Sequence, residues 1–122
     1  MSQRIKRIES AVKREISTLI QTELRDPRIG FITITKVEVT PDLKLAKIYY
    51  TVLGDEKSKK STSIALNNAK KFLKKCVGDA LGLRYVPDIS FRYDKSMEYT
   101  QHIYDILEKI KKEDDPGKSN EQ

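Results

Sequence analysis

Four lysines, Lys70, Lys71, Lys74 and Lys75, crowd the segment AKKFLKKC and are the strongest chemical feature of the sequence. Placed on a helical wheel, they fall on the side away from a stripe of Phe72, Leu73 and Cys76. Four ammonium groups on one face repel each other unless an anion sits opposite, and a nucleic-acid backbone is the simplest anion of that length. Lys57, Lys59, Lys60 and Arg84 add positive charge nearby. Tyr49 and Tyr85 are aromatic rings that could stack on bases, or simply pack. The competing reading of the whole cluster is a solvated lysine face.

Little else suggests chemistry. His102, the single histidine, sits within a helical pattern without a recognisable partner, whereas a general base needs one and a pocket besides. Cys76 lies on the apolar stripe and reads as a small buried hydrophobe. No Gly-rich phosphate loop, HExxH pair or EF-hand ligand set occurs. One cysteine permits neither an internal disulfide nor a CxxC pair. No cofactor and no catalytic activity are expected.

Charge supports the polyanion reading. The chain of 122 residues carries a net charge of +6. Residues 1–54 hold 10 basic and 6 acidic side chains, residues 55–86 hold 8 and 3, and residues 87–122 hold 6 and 9. A basic body with an acidic tail points to a nucleic-acid partner. No apolar run is long enough to span a bilayer, and the N-terminus MSQRIKRIES lacks an apolar core of the secretory kind. A soluble cytoplasmic protein of one domain is expected.

The elements that must position the lysines centre on a hairpin. Phe31 to Thr40 and Leu45 to Leu53 are rich in β-branched and aromatic residues and flank the turn Thr40-Pro41-Asp42-Leu43. In the first strand the apolar parity changes, so either both faces are partly buried or a bulge lies near Thr35-Lys36. In the second strand Ala46, Ile48, Tyr50 and Val52 should face the core, with Lys47, Tyr49 and Thr51 outside. Such a hairpin is unstable alone and requires helices on one face.

Those helices are legible on both sides. Residues 4–25 place Ile5, Ile8, Val12, Ile16, Leu19 and Ile20 on one side, with Arg7, Arg14 and Arg25 roughly opposite and Pro27 as the stop. From Ile64 to Ala80 a second helical pattern carries the lysines, and Gly78 and Gly82 weaken its far end. Pro87 opens a third strand through Ile89, Phe91 and Tyr93. Asp94 or Ser96 can cap a last helix through Ile103, Ile106, Leu107 and Ile110. From Glu113 the chain has no apolar residue, so residues 113–122 should be a disordered acidic tail after a domain of residues 1–112.

Four pieces together resemble the bacterial ribosome-binding factor A family: Asp26-Pro27-Arg28-Ile29, the VEVTPDL turn, Val52-Leu53-Gly54, and Arg84-x-Val86-Pro87. The likeness runs from about residue 4 to residue 112. It implies an α+β fold, a type II KH-like domain (α-β-β-α-kink-α-β) with a C-terminal helix and a three-stranded sheet covered by helices on one face. It also implies a mixed sheet in which the third strand lies beside the first. KH domains normally clamp the backbone with a GxxG loop, which is absent from this sequence. The family has a helix-kink-helix there, usually marked Ala-x-Gly. The matching residues are Ala69-Lys70-Lys71, and lysine in place of glycine weighs against a sharp kink while adding a cation.

The same resemblance implies a non-catalytic factor that binds free or immature small (30S) ribosomal subunits. It would assist late 16S rRNA processing near the 5′ end, notably in the cold, as a monomer, with assembly GTPases acting alongside. The RNA contacts would then be Lys70, Lys71, Lys74, Lys75 and Arg84, with Arg7, Arg14, Arg25 and Arg28 as further candidates. A general KH-type single-stranded RNA binder is the alternative, against which the missing GxxG counts. A small hydrolase or nuclease is a third reading, and it lacks a base, nucleophile or metal set.

Overall fold

The computed structural model describes residues 3–24, 26–96 and 105–111. The element order is α1 (Gln3–Thr22), β1 (Phe31–Val39), β2 (Leu45–Leu53), α2 (Glu56–Asn68), α3 (Lys70–Leu81) and β3 (Asp88–Tyr93). Residues 105–111 are also helical, and Ile106, Leu107 and Ile110 there are exposed. His102, Ile103, Arg25 and the tail 113–122 lie outside the described residues.

β1 and β2 form the expected antiparallel hairpin, with Phe31 opposite Leu53 and Val39 opposite Ala46. The change of parity in β1 is a bulge: the register shifts between Ile34 and Lys36. Thr35, the extra residue, donates its hydroxyl to Asp94 Oδ2 at 2.6 Å. Asp94 is itself buried just past β3, and it accepts from the backbone N–H of Ser96 at 3.0 Å. The bulge thus switches the inward parity from Ile32 and Ile34 to Val37 and Val39 while supplying a partner to a buried carboxylate.

The hairpin turn is held by side chains. Asp42 Oδ1 accepts from the Thr40 hydroxyl at 2.6 Å and from the Lys44 N–H at 3.1 Å. Leu43 has φ +61°, the left-handed conformation that L residues disfavour. Its side chain packs against the core, which offsets part of that cost.

β3 does not lie beside β1. It pairs parallel with β2, from Leu45 opposite Asp88 to Tyr50 opposite Tyr93, so the order is β1-β2-β3. The hairpin occupies only one edge of β2, and α2 with α3 supplies the long crossover that a parallel neighbour needs. The sheet is mixed, as expected, with β2 at its centre. Tyr50 fixes the new edge through edge-to-face contacts with Phe91 and Tyr93, at centroid distances of 6.2 and 5.7 Å.

α1, α2 and α3 pack on one face of the sheet. α1 buries Ile8, Val12, Ile16, Leu19 and Ile20, α2 buries Thr62, Ala65 and Leu66, and α3 buries Leu73 and Val77. Against them lie Ala46, Ile48, Tyr50 and Val52 of β2. α1 ends at Thr22, before Pro27 is reached, with the N–H groups of Glu23 and Leu24 both turning back to Leu19 O. Thr62 ties α2 to the loop before β1: its hydroxyl donates to Arg28 O and accepts from Gly30 N–H, both at 3.2 Å. Asp55 caps α2 by accepting from Ser58 N–H at 2.9 Å. These residues make an α+β domain of the type II KH-like kind, three strands covered by helices on one side.

Candidate nucleic-acid interface

The lysines sit where two helices meet. α2 stops at Asn68 and α3 starts at Lys70, with Ala69 between them at φ −91°, ψ −2°. The Ala69 N–H reaches both Ala65 O and Leu66 O, and the helical pattern resumes with Leu73 N–H to Ala69 O at 2.9 Å. The break therefore forms without glycine. Ala69 takes a conformation open to any residue, and Lys71 already lies within α3. Lysine at that position costs the break nothing and places a cation one residue inside a helix start.

The apolar stripe keeps its phase through the break, with Leu66, Leu73 and Val77 buried at helical spacing. Leu73 and Val77 face the core, four residues apart, and Cys76 is half-buried beside them. Phe72, expected on the buried stripe, is instead 46% exposed. It lies beside Lys71 and Lys75, which are also exposed. Lys70 and Lys74 are half-buried at the edge next to β3. Lys74 Nζ contacts Asp88 Oδ1 at 2.6 Å. That hydrogen bond, with the Lys74 charge and more weakly that of Lys70, holds the Asp88 carboxyl below its ordinary range. The four lysines are thus not equivalent, since one carboxylate already answers part of their charge.

The remaining candidates scatter around this helix pair. Arg84 is exposed just beyond the left-handed Gly82 that ends α3, and its guanidinium lies over the Tyr85 ring at 5.5 Å. Tyr85 is 76% exposed. Arg7 and Arg14 are exposed on α1 and line a shallow hollow with Gln3, Lys6, Ser10 and Ala11. Arg28 is engaged by Asp26: Nη2 lies 2.6 Å from Oδ2 and Nε 3.0 Å from Oδ1. Of the accessory lysines, Lys59 pairs with Glu56 at 3.2 Å and lies over the Tyr93 ring at 4.9 Å. Sequence reasoning missed Asp88 as the lysines' counter-charge, because fourteen residues and a change of element separate it from Lys74.

Among the described residues no group of three His, Cys, Asp or Glu side chains is placed to hold a metal ion. Among them, too, no helix is long and apolar enough to cross a membrane. What the arrangement offers is a group of cations suited to a phosphate backbone and an exposed aromatic ring suited to a base.

The family model for ribosome-binding factor A matches residues 4–107. The ribosome-binding factor A of Trichlorobacter lovleyi is 49% identical over 104 residues, covering 85% of this chain and 85% of that protein. That of Citrifermentans bemidjiense is 44% identical over 119 residues, covering 98% of this chain and 100% of its own. Among solved structures, a Thermotoga maritima ribosome-binding factor A aligns with a TM-score of 0.57 at 29% identity, covering 74% of this chain and 82% of its own. The crystal structure from Thermus thermophilus aligns with a TM-score of 0.65 at 24% identity, covering 73% and 94%, and shares the fold. A homology model of the Thermus thermophilus factor, fitted into a cryo-EM map of a 30S complex, aligns at 0.62 and 24% identity, covering 73% and 93%. With the match spanning all six elements of the sheet and its helices, this chain belongs to the ribosome-binding factor A family.

Proposed function

We propose that this protein is a non-catalytic assembly factor that binds free or immature small (30S) ribosomal subunits in the cytoplasm. On this reading it assists late 16S rRNA processing near the 5′ end, chiefly in the cold, and works as a monomer alongside assembly GTPases. The observation that carries the reading is the 44% identity over 119 residues that spans the whole of a ribosome-binding factor A. A related factor has been fitted into a map of a 30S complex, which supports the same partner.

The mechanism is a shift in population. A factor that contacts one arrangement of rRNA more tightly than another lowers the free energy of the first and enriches it. Lys70, Lys71, Lys75 and Arg84 supply contacts to phosphate, and Lys74 supplies one if Asp88 releases it.

Co-sedimentation tests the reading. The purified protein should pellet with isolated small subunits and not with assembled ribosomes; equal binding to both, or to neither, would contradict it. Changing Lys70, Lys71, Lys74 and Lys75 together to Gln should weaken binding at least tenfold without unfolding the domain. The salt slope should fall by about three units rather than four, since each phosphate contact contributes about one and Lys74 already faces Asp88. An unchanged slope would move the RNA surface to Arg7, Arg14, Arg25 and Arg28.

A further inference from the structure

The helices cover one face of the sheet, and no described element covers the other. Its composition is unusual for a merely solvated face. At one end Phe31 and Leu53 stand opposite each other, 81% and 79% exposed. Thr33 and Thr51 form the next pair. Beyond them Tyr49 lies between Lys36 on β1 and Arg92 on β3. The Lys36 ammonium rests over the Tyr49 ring at 4.7 Å. Lys47 follows, opposite Glu38.

The charges on this face are three cations to one carboxylate. Glu38 answers Lys36 at 3.3 Å, which leaves Lys47 and Arg92 as the uncompensated pair. Asp88, at the start of β3, is turned to Lys74 of α3. The same contact joins this face to the lysine helix around the β3 edge. Tyr49 and Leu53 are four residues apart on β2, or about 13 Å at the usual strand rise. Phe31, opposite Leu53, therefore stands about 13 Å from Tyr49 along the sheet. Two rings on one sheet face, flanked by cations, is the arrangement with which other sheet-based modules stack two or three unpaired bases.

We propose that this open sheet face is a second RNA-binding surface, on which Phe31 and Tyr49 stack unpaired bases while Lys47 and Arg92 hold the backbone. It rests on the reading of the protein as an rRNA-binding factor and adds to it where on the fold a single-stranded segment lies. The lysine helix would hold backbone charge, and the sheet would supply contacts to bases.

The test uses the full chain and two probes, a fluorescent oligouridylate 12-mer and inorganic polyphosphate of matched charge. Phe31→Ala/Tyr49→Leu should cut oligouridylate affinity at least tenfold, as expected for lost base stacking. It should leave polyphosphate binding within twofold. Lys47→Gln/Arg92→Gln should lower the oligouridylate salt slope by about two units. Backbone amide shifts on titration should cluster at Thr33, Lys47, Tyr49, Thr51 and Arg92. If the Tyr49 change unfolds the domain, Phe31→Ala alone serves, because that ring is almost free of contacts. Equal binding of the two probes, or unchanged oligouridylate affinity in both double variants, would overturn the inference. Loss of small-subunit binding with unchanged oligouridylate binding would also overturn it and mark the face as a protein contact. Failure of the unaltered protein to bind small subunits would instead defeat the assembly-factor reading, so the two failures are separable.

Discussion

Arg28 shows how a cation in a sequence differs from a cation on a surface. Its guanidinium forms a two-pronged contact with Asp26, which also accepts the Arg28 backbone N–H at 2.9 Å. These hydrogen bonds hold the Asp26 carboxyl at about 2, below its ordinary 3.8. A folded pKa below the unfolded one means the pair's contribution is complete above about pH 4 and is lost as pH falls toward 2. A carboxyl titration by NMR should therefore find the Asp26 midpoint near 2, and Arg28→Gln should return it toward 3.8. An unchanged midpoint in the variant would mean that the backbone N–H alone sets it. The motif Asp-Pro-Arg-Ile was visible in the sequence as a family signature. That its acid and base engage each other was not, because a turn, rather than a helical spacing, brings them together. The same holds for Lys74 and Asp88, whose approach depends on the packing of α3 against β3.

At the scale of elements, periodicity carried most of the reading and failed where the chain bends. The alternation of β2 put Ala46, Ile48, Tyr50 and Val52 inside, and they are inside. The parity change in β1 left two explanations open, and the bulge resolves them. Phe72 was misplaced because it stands at the margin of the stripe: Leu66, Leu73 and Val77 keep one helical phase through the break, and Phe72 lies about 100° round the helix from Leu73. Gly78 was read as a weak point of α3 on propensity, but the fold uses its missing side chain. A Cβ there would lie 2.5 Å from Val86 Cγ2, in the loop that delivers Pro87 and β3. Gly78→Ala would gain about 1 kcal/mol of helix propensity. Overpacking against Val86 should cost about 1–3 kcal/mol, so the variant should be less stable in urea unfolding. A more stable variant would mean that the Val86 loop shifts at little cost. The pairing of β3 with β2 rather than β1 could not be read locally, since Ile89, Phe91 and Tyr93 suit either edge. What decides it is that β1 leaves the far edge of β2 open to a strand arriving from the crossover helices.

For the whole molecule, the separation of charge along the chain makes a prediction about the tail. Residues 1–86 carry the positive charge, while residues 113–122 include Glu113, Asp114, Asp115 and Glu121 against Lys118. The largest fully buried side chains include Ile16, Ile48, Leu66 and Leu73, carried by α1, β2, α2 and α3. Residues 113–122 contain no apolar side chain that could add to that core. Deleting Glu113 to Gln122 should therefore leave the melting temperature within about 2 °C, corresponding to well under 1 kcal/mol for a domain of this size. The effect on small subunits should appear in the salt dependence. An acidic segment near the RNA is repelled at low ionic strength and screened at high, with a Debye length of about 10 Å at 0.1 M salt. Truncation should therefore tighten binding modestly at low salt and leave it unchanged near physiological salt. A fall in melting temperature of 5 °C or more would show that the tail packs on the domain. Weaker binding at low salt would show that it contacts the subunit directly, through a basic protein surface instead of rRNA.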